Sequence, residues 1–153
     1  MVAQLVDEVG GIAEVEVLLA LVVELLDVDR VRDPLATWKT FDRVERLAAA
    51  AKTLLARRVA NHPRHGFKSP EEHLAKLGGT TTREARAMLA TSQQLTDLPR
   101  TADALRRGEL SRTQVEAVAA AAAVKPDVEG HLLALAATTN VHELREECQR
   151  TRR

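Results

Sequence analysis

Two clusters of residues in this sequence have the types and spacing to recognise a polyanion. Thr80, Thr81, Thr82, Arg83 and Arg86 bring three hydroxyls and two guanidiniums into one short stretch. A guanidinium presents a planar fork of donors that fits phosphate oxygens or the acceptor edge of guanine, and a hydroxyl can serve either. Arg57, Arg58, Arg64 and Lys68 form the second cluster. They could neutralise phosphates, adding affinity that depends on salt and not on base sequence. They also fit a solvated helix end whose charge answers an acidic neighbour.

Other chemistries are poorly served. His62, His65 and His73 invite a metal reading, but no thiolate lies near them and Pro63 constrains their loop, so solvated histidines and no metal are expected. Cys148 is the only cysteine, which excludes an internal disulfide and any zinc site needing two thiolates; it fits a reducing compartment and a small packing role. Glu146 and Glu147 are adjacent on a predicted helix and so point in different directions. No Ser-His-Asp order, phosphate loop or paired-carboxylate arrangement stands out. The expectation is no catalytic residue and no cofactor.

The elements that would hold the first cluster are legible as helices. Beyond residue 68, an oxygen-bearing cap is repeatedly followed three positions later by an acid or amide: Ser69 with Glu72, Thr81 with Glu84, Ser111 with Gln114 and Asn140 with Glu143. Stops fall at Gly78-Gly79, Leu98-Pro99, Gly108 and Lys125-Pro126. These signals predict short helices near 70–77, 82–95, 99–107, 112–124, 128–137 and 141–151. The first two, joined by a glycine turn, form a helix-turn-helix-like unit. Ala75 supplies the small residue where the second helix crosses, Gly79 tolerates positive φ, and Leu74, Ala85 and Met88 are placed to meet between them. In such a unit the N-terminal end of the second helix enters the major groove, which is where residues 80–86 stand.

Residues 1–60 read differently. Dense apolar residues over about 3–28 predict one long helix, with Gly10-Gly11 as its weak point. Asp33-Pro34 opens a second, along which Trp38, Phe41, Val44, Ala48, Ala51 and Leu55 recur at helical spacing. Residues 1–33 carry eight acids against two bases (net −6), residues 34–68 eight bases against two acids (net +6), and the remainder balances. Opposite charge on adjacent long helices suggests an antiparallel hairpin, or the same helices paired across a homodimer. Asn61 to Lys68, with Pro63 and Gly66, reads as a linker.

The whole is all-α, in 153 residues that are 45% hydrophobic but only 2% aromatic, so its core must be Leu, Val and Ala. The apolar run Val17 to Val23 is far short of a membrane span, and the acidic start is unlike a signal peptide. A cytoplasmic protein with no membrane partner is expected.

After the helix-turn-helix come Leu98-Pro99, Ala104-Leu105, Gly108-Glu109-Leu110-Ser111 and Gln114, then an alanine-rich stretch at 117–123, Pro126, Glu129, Leu132-Leu133 and Glu143 to Cys148. In this combination residues 66–153 resemble the 13E12 repeat family, domain of unknown function 222, which stands N-terminal to an HNH nuclease domain in actinobacterial proteins. The same stretch is loosely similar to the helix-turn-helix of ParB-type partition proteins, where Leu-Pro and then Gly-x-Leu/Ile-Ser also follow the motif. The resemblance implies a region associated with duplex DNA. Two departures stand out: His73 occupies a position where the family commonly has tryptophan, and Arg153 is reached before the HNH domain, whose histidine base and metal would perform the chemistry. The expectation is therefore a non-catalytic DNA-associated region, either naturally truncated or a fragment of a longer nuclease-like protein. The alternative is a structural, self-associating helical module that ignores nucleic acid.

Overall fold

The computed structural model describes residues 9–63 and 66–153. Among them are eight α-helices and no strand, the all-α class that the helical periodicity implies. α1 spans Val9–Glu24, α2 Pro34–Ala60, α3 Pro70–Gly78, α4 Thr82–Gln94, α5 Pro99–Arg106, α6 Arg112–Ala122, α7 Glu129–Thr138 and α8 Val141–Thr151. Short 3-10 turns lie at Val28–Arg30, Leu95–Asp97 and Pro126–Val128. None of the described helices is long and apolar enough to cross a membrane. The chain divides into two compact units between Thr40 and Phe41, within α2.

The smaller unit holds α1 and the opening turns of α2. The part of the predicted first helix that precedes Val9 lies outside the described residues, and the described helix ends at Glu24, four residues before the expected stop. Gly10 and Gly11 stand at its described start, inside the helix. α2 opens where the sequence places it: the Asp33 carboxylate accepts the Ala36 amide at 2.9 Å, and Pro34 occupies the first turn, where no N–H is needed.

From Phe41 onward α2 belongs to the larger unit, and its buried face differs from the predicted stripe. Ala50, Thr53, Ala56 and Ala60 are buried, whereas Ala48 and Ala51 are exposed and Leu55 is 51% exposed. Short side chains at three- and four-residue spacing let neighbouring helices approach closely, which large residues would prevent. Thr53 fits among the alanines because its hydroxyl donates to the Ala49 carbonyl at 2.9 Å.

The remaining six helices follow the cap and stop signals to within two residues. Thr81 with Glu84 and Ser111 with Gln114 make both bonds of the reciprocal box. Ser69 and Asn140 cap in one direction only, and the Glu72 carboxylate accepts the Lys68 amide at 2.8 Å instead of that of Ser69. α5 ends on Gly108 at φ +70°, with the Glu109 amide returning to the Ala104 carbonyl at 3.1 Å. The left-handed backbone favours glycine there, and a Cβ at Gly108 would also press on Leu47 Cδ2 at 3.1 Å.

α6 is the centre of the larger unit. Val115, Val118, Ala119, Ala121 and Ala122 have no exposed surface; Leu105, Leu132 and Leu144 from α5, α7 and α8 cluster with Val115, Val118 and Ala121, and Leu98 clusters with Ala119 and Ala122. No aromatic residue is among the buried hydrophobics of the described chain, in keeping with its composition. Cys148 belongs to the same core, and burial pushes its thiol above the ordinary range, so it is unreactive filling.

Two buried polar residues tie these helices at their ends. Gln114 accepts the Ser111 amide at 2.9 Å through Oε1 and donates through Nε2 to the Ala136 carbonyl at 3.0 Å, near the end of α7. Glu129, 7% exposed at the start of α7, accepts both the amide and the hydroxyl of Thr101 through one oxygen, at 2.6 and 2.8 Å. α5 starts at Leu98-Pro99 and has no side-chain cap of its own. Glu129 supplies that cap from another helix, with its negative charge at the positive end of α5.

Candidate nucleic-acid interface

Ser69 caps α3 by accepting the Glu72 amide at 3.1 Å, with Pro70 in the first turn. α3 stops because Gly79 turns left-handed at φ +61°, which lets the amides of Gly79 and Thr80 both return to the Ala75 carbonyl. Thr81 then caps α4, so only residues 79–81 separate the helices. A turn of that length, left-handed at its glycine, is what a helix-turn-helix needs. Ala75, Ala85 and Met88 are buried and Leu74 is half-buried. Together with Leu55, Val59 and Leu77, Leu74, Ala85 and Met88 line a largely apolar cavity of about 160 Å³ behind the unit.

The opposite side of α4 is open. Arg83, Arg86, Ala90 and Gln93 are exposed at successive spacings of three, four and three, which is one face of a helix. Neither Arg83 nor Arg86 forms an ion pair with any of the described residues. Sequence reasoning named the N-terminal part of this face but missed Ala90 and Gln93; the spacing complementary to the buried Ala85, Met88, Leu89 and Ser92 could have found them.

The threonines divide by role. Thr82 is exposed in the first turn of α4 and Thr80 is half-buried in the preceding turn. Thr81 is exposed, but its hydroxyl already accepts the Glu84 amide at 3.1 Å and donates to the Glu84 carboxylate at 3.0 Å. It therefore positions the helix. Those bonds from Thr81 hold the Glu84 carboxyl below its usual range, with a smaller effect from Arg112. The Arg112 guanidinium, paired with Glu116 at 3.1 Å, also donates to the Glu84 carbonyl at 3.3 Å. The start of α4 is thus tied to the start of α6, the central core helix. A rigidly held helix with two unengaged guanidiniums, a small side chain and an amide on one face can enter a groove about 12 Å wide and meet phosphates or base edges.

The second basic cluster is only partly within view. Arg57 and Arg58 are exposed in the last turn of α2, where cations complement the helix dipole. Arg57 donates to the Thr96 hydroxyl at 3.1 Å, and its amide donates to the Ser92 hydroxyl at 3.3 Å, joining the end of α2 to the end of α4. Lys68 is exposed ahead of α3, while Arg64 lies outside the described residues. Of His62, His65 and His73, His65 also lies outside them, and His73 stacks on Phe67 with ring centroids 4.9 Å apart. Among the described residues no three His, Cys, Asp or Glu side chains gather as a metal would require.

No protein-family model, curated protein or solved structure matches the chain.

Proposed function

We propose that residues 66–153 are a DNA-associated helical region of the 13E12 type, that α4 is the helix that meets the duplex, and that this cytoplasmic chain performs no catalysis itself. The observation that carries this reading is the exposed α4 face, where Arg83 and Arg86 stand unengaged by any carboxylate among the described residues, on a helix fixed by a reciprocal cap and a left-handed glycine turn. Thr80 and Thr82 flank that face, and Arg57, Arg58, Arg64 and Lys68 supply secondary phosphate contacts. The formal charge of zero means that affinity must come from this local placement and not from the overall field.

The test is a fluorescence-anisotropy titration of the chain against a labelled random duplex at low and then physiological salt. Binding that weakens steeply with salt is expected, since each neutralised phosphate contributes about −0.9 to the slope of log affinity against log salt. Absence of binding at low salt would dismiss the reading.

A second reading, self-association through residues 1–60, is favoured by the large apolar side chains that residues 12–38 leave exposed.

A further inference from the structure

α1 is apolar on more than one side. Ile12, Val15, Leu19 and Val22 recur at spacings of three, four and three, and Leu26 continues the series just beyond the helix end. This is the spacing of a coiled-coil seam, with Ile12 and Leu19 at a positions and Val15 and Val22 at d positions. Leu18 and Leu25 fall at the flanking g positions, so Glu16 is the only acid bordering the seam within the helix. Twelve large apolar side chains between Ile12 and Trp38 are 40% to 74% exposed. At roughly 60–120 Å² of apolar area for each, they leave about 700–1,400 Å² uncovered, spread over more than one side of the helix. The six on the seam and at the start of α2, Ile12, Val15, Val22, Leu26, Leu35 and Trp38, account for about half of it, roughly 400–700 Å², which suits a small interface below the standard share of about 800 Å² per partner. The net charge of −6 on residues 1–33 repels an anionic lipid surface and also opposes the approach of a second copy, so pairing must rest on the apolar seam and strengthen as salt rises.

We propose that the occupant is a second copy of this chain, paired through the Ile12-Val15-Leu19-Val22 seam of α1, with Leu35 and Trp38 at the start of α2 in the same interface. This inference rests on the self-association reading of residues 1–60 and is independent of the DNA reading. Trp38 reports on it directly, being the only tryptophan in the chain and 66% exposed in the single copy.

Light scattering on the full chain across a concentration series tests the pairing. The expected mass is twice 16.8 kDa, with Trp38 emission moving to shorter wavelength as concentration rises. Val15→Glu with Val22→Glu places two carboxylates in the seam and is expected to weaken pairing at least about a hundredfold, with helix content by circular dichroism retained because both residues are exposed in the single copy. A mass of 16.8 kDa at every concentration, with a fixed Trp38 spectrum, overturns the proposal and the self-association reading together. A dimer that persists in the double variant overturns the seam alone. Adsorption of the unmodified chain to phosphatidylcholine vesicles in place of pairing also overturns it. Arg83→Ala with Arg86→Ala leaves the mass unchanged, which keeps this outcome separate from that of the DNA reading.

Discussion

Replacing Arg83 and Arg86 together by alanine is expected to lower duplex affinity by at least about thirtyfold at physiological salt, as bidentate base contacts are worth about 1–3 kcal/mol each. Both side chains are exposed and unengaged among the described residues, so the folded state has little to lose. Stability in urea should stay within about 0.5 kcal/mol of the parent, as for surface changes away from caps and cores. The salt dependence then identifies the contact. If both guanidiniums rest on phosphates, the slope of log affinity against log salt falls by about two. If one of them reads a guanine edge, the slope falls by about one and preference for a base at that position disappears. Anisotropy titrations at four or five salt concentrations separate these cases, and an unchanged affinity and slope would remove α4 from the interface.

Glu129→Ala is expected to cost about 2–4 kcal/mol of stability, on the order of 10 °C in melting temperature, without touching the α4 face. Thr101 is fully buried and directs both its amide and its hydroxyl to one Glu129 oxygen. Removing the carboxylate strands two buried donors and leaves α5 with no cap at either Leu98 or its first turn. Glu129→Gln keeps an acceptor oxygen in place and loses only the charge assistance, a loss of about 1 kcal/mol. Urea unfolding followed by circular dichroism should therefore rank the parent, glutamine and alanine forms in that order. Alanine equal to the parent within about 0.5 kcal/mol would show that water or another group satisfies Thr101.

Local signals explain why so much of the larger unit was legible in the sequence. Capping residues act over three positions and glycine stops act on a single φ, so Ser69, Thr81, Gly79, Ser111, Gly108 and Asn140 mark their helix ends without reference to tertiary structure. The α4 face was half legible for the same reason: the pattern at Arg83 and Arg86 is local, and its continuation to Ala90 and Gln93 needed only the helical period. What was hidden depends on partners distant in sequence. The buried side of α2 is its alanine and threonine side, because close packing against other helices prefers short side chains to the larger ones of the apolar stripe. Glu129 capping α5 joins residues 28 positions apart, and no local rule connects them. The second box bond of Ser69 failed for a subtler reason: Glu72 reaches the Lys68 amide one position earlier, a choice that backbone geometry makes and residue types do not.

The most direct test of the central claim is an amide chemical-shift map of the full chain during titration with a short duplex. The α4 reading predicts that the largest shifts fall on residues 80–86 and continue along the exposed side to Ala90 and Gln93, leaving the amides of the α6 core unmoved. Shifts confined to the end of α2 around Arg57 and Arg58, or none in α4 at saturating duplex, would contradict it.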